Sequence, residues 1–292
     1  MALPLRQLHQ EISRSLQEAD IEQPRREAAL ILSHFLGLPL AGIYANAGMA
    51  IEPDRAALVR DAGRRRAQHV PLAYLLGEIE FSGLTFKVGP GVLVPRADSE
   101  ILVEKGLESC QRIPRRDRPL HILDICTGTG CIGISLTVRL RQTGRAARLW
   151  LTEIDPAAAG YAQANLVRHD LTAETVLAMT DLFPSDRSRR WDLILANPPY
   201  IVRPVIATLM PEVRCYEPLA ALDGGPDGLD FYRRLIDGAA DRLEPGGCLL
   251  VEHGYDQAGP VTELIAKNGQ FELIPTVADY GGRPRVSGGW RR

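Results

Sequence analysis

A chain of 292 residues, 45% of them apolar, is long enough for one large domain with an ordinary packed core and a second, smaller domain. Its formal charge of −2 excludes broad electrostatic binding along duplex nucleic acid, which needs many phosphate contacts, and leaves at most a local basic patch. Its five cysteines, Cys110, Cys126, Cys131, Cys215 and Cys248, are an odd number with no C-x-x-C pair, which excludes a zinc site and a disulfide framework and predicts free thiols in a reducing compartment.

Leu5, Leu8, Ile12 and Leu16 fall at helical spacing, and Arg6, His9 and Glu11 within that pattern argue against a signal or transit peptide. Pro24 opens a second helix, with Ala28, Ile31, Leu32 and Phe35 inward and Gly37 as its stop. Residues 54–67 predict another helix, packed through Ala57, Leu58 and Ala62 and ending near the basic cluster Arg64, Arg65 and Arg66, a solvated helix end that suits the C-terminal dipole. Residues 1–77 therefore form a small N-terminal helical domain that carries no catalytic constellation and is left with recognition.

Over residues 78–95 the period switches to two: Ile79 and Phe81, then Leu84, Phe86 and Val88, with Ser82-Gly83 between them. This predicts a β-hairpin that joins the helical domain to a large domain over residues 96–292. Pro95-Arg96-Ala97-Asp98-Ser99-Glu100 follows; either Ser99 or Asp98 caps a helix over 101–110, or the turn lids a bound cofactor.

Strand patterns at 121–125, 149–152, 174–179, 192–196 and 247–252 then alternate with helix patterns at 131–140, 157–169, 227–243 and 261–267. Residues 271–274 and 285–287 are candidate closing strands. Such alternation predicts a mostly parallel, doubly wound α/β sheet. Nowhere do about 18 apolar residues run together, so no membrane span is expected and the setting is read as cytoplasmic.

Two strand ends carry chemistry. Gly128-Thr129-Gly130-Cys131-Ile132-Gly133 satisfies G-x-G-x-x-G between a strand and a helix, with Glu153 twenty residues beyond its last glycine. Taken alone, that fingerprint fixes a ribose-bearing nucleoside cofactor, nicotinamide dinucleotide or S-adenosylmethionine. Glycines allow close backbone approach, the helix N-terminus faces a carboxylate, and Glu153 takes the ribose hydroxyls. At the third strand end Asp181 is placed to accept from an adenine amino group and Leu182 to cover the ring. Asp124, behind the glycine turn, ties down loop N–H groups.

Asn197-Pro198-Pro199-Tyr200 ends the strand at 192–196 in a turn that cannot continue a ladder. The four residues suit a planar NH2 group, whose delocalised lone pair attacks a methyl donor poorly. Asn197 Oδ1 and a backbone carbonyl freed by Pro198 and Pro199 take both N–H hydrogens, and Tyr200 stacks on the flat group. Hydride transfer has no use for such a clamp, so methyl transfer is favoured. Glu252 and His253 end the fifth strand and are expected to be satisfied by neighbouring backbone.

The chain also resembles the HemK/PrmC protein-glutamine N5-methyltransferases over nearly its whole length. The resemblance rests on residues 71–77 with Glu80-Phe81, Leu93-Val94-Pro95-Arg96 with Glu100, Leu123-Asp124-Ile125-Cys126-Thr127-Gly128-Thr129-Gly130, and Asn197-Pro198-Pro199-Tyr200. It extends to Glu217-Pro218, residues 221–225 and Asp227-Gly228-Leu229-Asp230. It implies a Rossmann-like, class I S-adenosylmethionine-dependent methyltransferase that modifies the glutamine of the Gly-Gly-Gln loop in peptide-chain release factors, with no stable nucleic acid, metal or membrane partner. It also implies that Cys126 to Gly130, Glu153 and Leu182 hold the cofactor while Asn197 to Tyr200 grip the glutamine amide, with Asn197, Pro198 and Tyr200 acting in catalysis. Asn-Pro-Pro-Tyr alone is shared with adenine and cytosine N-methyltransferases, and Cys126 with Cys131 is similar to a sister family that methylates a ribosomal protein. Tail residues Asp256-Gln257, 279–283 and Arg285-Val286 resemble the release-factor branch. Cys126 stands where the family usually has glycine, a change expected to be tolerated only at negative φ. Ser99 replaces the usual threonine.

Overall fold

Leu5, Leu8, Ile12 and Leu16 lie buried on one face of α1 (Leu5–Glu18), as a period of 3.6 requires. The computed structural model describes residues 3–292. A short pair of strands, β1 (Leu3–Pro4) and β2 (Ala50–Ile51), runs antiparallel beside helices α2 (Pro24–Leu36), α3 (Leu40–Ala45), α4 (Pro53–Ala67) and α5 (Leu72–Leu76). In α2 the terminating Gly37 adopts φ +66°, while Phe35 is only half-buried and Leu36 takes the inward position.

Helix α4 keeps Ala62 inward as expected, but not Ala57 and Leu58. Ala56, Val59, Ala62 and Gly63 are buried, whereas Ala57 and Leu58 are exposed, Leu58 at 58%. A Cβ at Gly63 would come within 2.6 Å of Ile12 Cδ1, so the helices approach closely at a residue with no side chain.

The larger unit begins with β3 (Glu78–Phe81) and β4 (Leu84–Lys87). Ser82 at φ +54° and Gly83 at φ +76° form the left-handed turn that matches a hairpin's twist. There follow α6 (Glu100–Arg112), β5 (Leu120–Ile125), α7 (Cys131–Gln142), β6 (Ala147–Glu153), α8 (Pro156–Arg168), β7 (Thr175–Met179), β8 (Trp191–Ala196) and α9 (Pro211–Tyr216). The chain closes with α10 (Asp230–Ala240), β9 (Leu243–Glu252), α11 (Ala258–Asn268), β10 (Phe271–Ala278) and β11 (Pro284–Arg291). Helix α10 is shorter than the 227–243 expected, because Gly228 sits at φ +75° before it and Leu243 already belongs to β9.

Seven strands form one sheet in the order β10-β11-β9-β8-β5-β6-β7. From β9 to β7 all pairs are parallel, and β11 and β10 add antiparallel at one edge. Alternation along the strands feeds two apolar layers. Leu193 and Leu195 join the layer of Leu102, Leu136 and Leu166 from α6, α7 and α8; Ile194 and Ala196 join that of Tyr232, Leu235 and Val261 from α10 and α11. With helices on both faces the architecture is doubly wound. Because β6 and β8 leave β5 in opposite directions, a crevice opens at the C-terminal ends of β5 and β8.

Two compact units result: the described residues up to Glu78 together with Met210–Tyr216, and Ile79–Leu209 with Glu217–Arg292. Within the first, Arg66 corrects the solvated helix end expected of the basic cluster. Arg64 and Arg65 are exposed, but Arg66 is buried on the inward stripe of α4. Its guanidinium lies 2.5 Å from Glu27 Oε2 and 3.0 Å from Glu212 Oε1 of α9, and Tyr216 donates to the Gln68 carbonyl at 2.6 Å.

Candidate active site

A single cavity at the strand ends is lined by Cys126, Thr127, Gly128 and Thr129 after β5, by Glu153, Ile154 and Asp155 after β6, and by Asn197 and Pro199 after β8. Val92, Pro95, Arg96 and Ser99 line it from the segment preceding α6, and Ala220 and Phe231 complete much of its apolar wall. Of the linking segment 78–95, Gly91, Val92, Leu93 and Pro95 line the cavity, whereas none of residues 79–87 does. Those residues pack on α8 instead, where Lys87 N–H donates to Asn165 Oδ1 at 2.7 Å and Asn165 Nδ2 donates to the Lys87 carbonyl at 3.0 Å.

The glycine turn is built around Asp124. Its Oδ2 accepts from Thr127 Oγ1 at 2.6 Å and from Gly133 N–H at 3.0 Å, and a Cβ on Gly133 would lie 2.9 Å from that oxygen. Asp124 Oδ1 is buried without a partner among the described residues, and burial pushes the carboxyl up to about 7. Cys126 lies at φ +56°, contrary to the negative φ expected. The chain must turn sharply out of β5 for Thr127 N–H to reach the Thr152 carbonyl at 3.1 Å and for Gly128 N–H to reach Glu153 Oε2 at 2.9 Å. A side chain in the left-handed region costs about 1–2 kcal/mol, and these bonds hold it there. Burial raises the Cys126 thiol far above its ordinary value, so it carries no thiolate chemistry.

Glu153 is fixed before any ligand arrives. Its Oε1 accepts from Ile154 and Asp155 N–H at 2.8 and 3.0 Å, while Oε2 takes Gly128. Gly130, at φ +80°, precedes α7 and does not line the cavity. Nor do Asp181 and Leu182: Asp181 is exposed and paired with Arg234 at 2.5 Å, and buried Leu182 accepts through its carbonyl from Thr152 Oγ1 at 2.7 Å. No group of three or more side chains suited to a metal ion occurs among the described residues.

At the end of β8, Asn197 Nδ2 donates to Ser99 Oγ at 3.3 Å. Ser99 makes no helix-capping bond, which corrects the expected cap. Its hydroxyl accepts from Asn197 instead, beside the Glu252 carboxyl, which burial raises to about 7 while Ser99, Arg285 and Asn197 favour its charged form. Glu252 Oε2 is buried without a hydrogen-bond partner among the described residues; His253 alone of that pair is satisfied locally, by the Gly254 carbonyl at 2.8 Å and Ser287 Oγ at 2.9 Å. Pro198 is buried and Tyr200 packs against the core, where burial pushes its hydroxyl up to about 12; neither lines the cavity. Gly224 meets the Tyr200 backbone so closely that a Cβ would come within 2.6 Å, and Gln257 Nε2 donates to the Tyr200 carbonyl at 2.9 Å. The turn after Asn197 is thus held from outside.

Sequence reasoning did not find the pairing of Arg96 with buried Glu217, at 2.5 Å, nor the cavity contribution of Phe231. Both motifs were visible in the sequence, but nothing in a linear chain places residues 96 and 217 side by side.

Comparison with known proteins agrees with this geometry. Residues 7–77 match the model of the PrmC N-terminal domain, and residues 106–209 that of the methyltransferase small domain. A release factor glutamine methyltransferase from Geobacter sulfurreducens is 41% identical over 94% of this chain and 92% of its own length. One from Moorella thermoacetica is 39% identical over 99% of each. Among solved structures the hMettl16 catalytic domain, in complex with a 3'UTR hairpin, aligns with a TM-score of 0.55 at 16% identity over 84% of both chains, a likeness of fold. A seven-stranded methyltransferase-type sheet and full-length similarity at this level together establish that the chain belongs to the release factor glutamine methyltransferase family.

Proposed function

We infer that the protein transfers the methyl group of S-adenosylmethionine to the side-chain amide nitrogen of a glutamine, that of the Gly-Gly-Gln loop in a peptide-chain release factor. The observation that carries this reading is the position of Asn197: its amide shares one cavity with the glycine turn and Glu153. The cavity suits the cofactor. Gly128, at φ +56°, leaves room where a Cβ would meet only Val92 at 3.7 Å, Glu153 stands fixed for ribose hydroxyls, and Val92, Ile132 and Phe231 offer apolar walls to a purine.

S-adenosylmethionine, when bound, supplies an electrophilic methyl carbon. The protein's task is to make an amide nitrogen nucleophilic towards it. Asn197 Oδ1 and a backbone carbonyl freed by the prolines of the turn accept the two N–H hydrogens, which aims the nitrogen lone pair and stabilises the nitrogen as it becomes tetrahedral. Well-placed groups of this kind contribute roughly 10²–10³ in rate each, and the rest comes from positioning. The methylated nitrogen is acidic enough to release its proton to water, so no side-chain base is required. Pro199 lines the amide side in this scheme, and Tyr200 supports its turn from the core.

The helical unit is assigned to docking the release factor, in domains of 1–77 and 96–292 joined by 78–95. Release factors work at the ribosome, which sets the enzyme in the cytoplasm. No helix among the described residues is long and apolar enough to cross a membrane.

Mass spectrometry of an unmodified release factor incubated with the protein and S-adenosylmethionine tests the reading: one methyl on the Gly-Gly-Gln glutamine is expected. Asn197→Ala should lower kcat by roughly 10²–10³ while keeping cofactor affinity. Methyl groups appearing instead on a ribosomal protein or on nucleic acid would overturn the substrate assignment.

A further inference from the structure

A buried carboxyl stands behind the Asn197 amide. Glu252 closes β9 at 1% exposure, and the Asn197 amide and Ser99 hydroxyl that bond to each other at 3.3 Å are the hydrogen-bonding side chains that bear on it. A primary amide has two donor hydrogens and one acceptor oxygen. With its NH2 end turned to Ser99, on the side where the Glu252 carboxyl lies, Asn197 keeps Oδ1 for the substrate. The opposite rotamer would set N–H against N–H and repel the glutamine it should bind.

We propose that Glu252 is a positioning residue for this reaction: with Ser99 it holds the Asn197 amide so that Oδ1, and not Nδ2, meets the glutamine N–H. The inference rests on the function proposed above. Only the ionised carboxyl is acceptor alone; once protonated it becomes a donor, and the amide turns over. Burial sets this change near pH 7. Asp98 before α6 faces the carboxyl, as do Arg285 of β11, Tyr200 after β8, Tyr232 of α10 and Cys131 of α7. Tyr200 and Cys131 are raised to about 12, and Tyr232 and Arg285 are also raised, so none of these four titrates there. The neighbouring His253 is lowered. Asp124 also titrates near 7, but it lies under the glycine turn, so it is felt in the cofactor KM rather than at saturating cofactor.

The test is side-chain amide NMR of Asn197 in 15N-labelled enzyme, its signal assigned by loss in Asn197→Asp, read beside kcat at saturating S-adenosylmethionine. In the wild type both should titrate together with a midpoint near pH 7. In Glu252→Gln the Asn197 signal should stay constant across that range and kcat should lose its acidic limb, falling about 10- to 100-fold at pH 8 with cofactor affinity unchanged. Ser99→Ala, which removes the bridge and leaves the carboxyl in place, should shift the same signal and lower kcat by a smaller factor. An Asn197 signal that titrates alike in wild type and Glu252→Gln, or that ignores Ser99→Ala, overturns the proposal. A wild-type enzyme whose Asn197 titrates but which leaves the release factor unmethylated overturns the function and not the positioning.

Discussion

Glu153 shows how one residue serves structure and ligand at once. Its two oxygens accept three backbone N–H groups, from Gly128, Ile154 and Asp155, and Oε2, which accepts only one of them, keeps capacity for a ribose hydroxyl. Truncation to alanine would strand the N–H groups as well as the ligand, so Glu153→Gln is the sharper probe. It keeps the shape and one acceptor oxygen and removes the other. S-adenosylmethionine affinity should fall by about 1–3 kcal/mol, the cost of leaving buried polar groups unpaired, while the melting temperature moves little; unchanged affinity in calorimetry would remove Glu153 from the ribose site. Glu153 was legible because strand, turn and acid are spaced by one local unit. Ser99 and Glu252 were not, since their meeting is made by the sheet order. Cys126 was misjudged because a residue-by-residue preference for negative φ yields to the bonds that Thr127 and Gly128 make across to β6.

At the scale of elements, the strand and helix alternation was read from β5 to β9 because apolar runs between turn residues carry it. What failed was orientation and termination. The face of α4 is set by Gly63 against Ile12 of α1, a contact between helices that no periodicity encodes, and the start of α10 by a left-handed Gly228. The junction of β5 with α7 depends on Gly133 in the same way. A Cβ there would lie 2.9 Å from Asp124 Oδ2 and 3.0 Å from Leu149 Cδ1, so Gly133→Ala must push the helix off the strand or break the Asp124 bonds. Overpacking of this kind costs about 1–3 kcal/mol. Chemical denaturation should register that loss, and cofactor KM should rise with it, because the loop that lines the cavity hangs on the same carboxylate. A variant with normal stability and normal KM would show that the turn is not organised by Asp124.

For the molecule as a whole, two buried carboxyls tie stability to pH. Asp124 and Glu252 are raised by burial from ordinary values of 3.8 and 4.5 to about 7. Between those limits the folded state holds protons that the unfolded chain has released, so stability falls as pH rises and the loss is complete above about pH 7. Lowered histidines such as His253 and His169 work in the opposite direction over part of that window, which makes a single melting curve ambiguous. The difference between wild type and Glu252→Gln removes them. That difference should shift steadily in favour of the variant from pH 5 to about pH 7 and level off above it, because below 7 the folded wild type still holds the proton that its unfolded chain has released. Activity should run the other way, because the ionised carboxyl is the form that orients Asn197. The enzyme would then be least stable where it is most active, the cost of charging one buried group at the site. If the difference keeps growing to pH 8 without levelling off, Glu252 does not ionise in the folded state, and its hold on Asn197 would have to be that of a neutral acid; if the two proteins melt in parallel, the carboxyl is not raised at all.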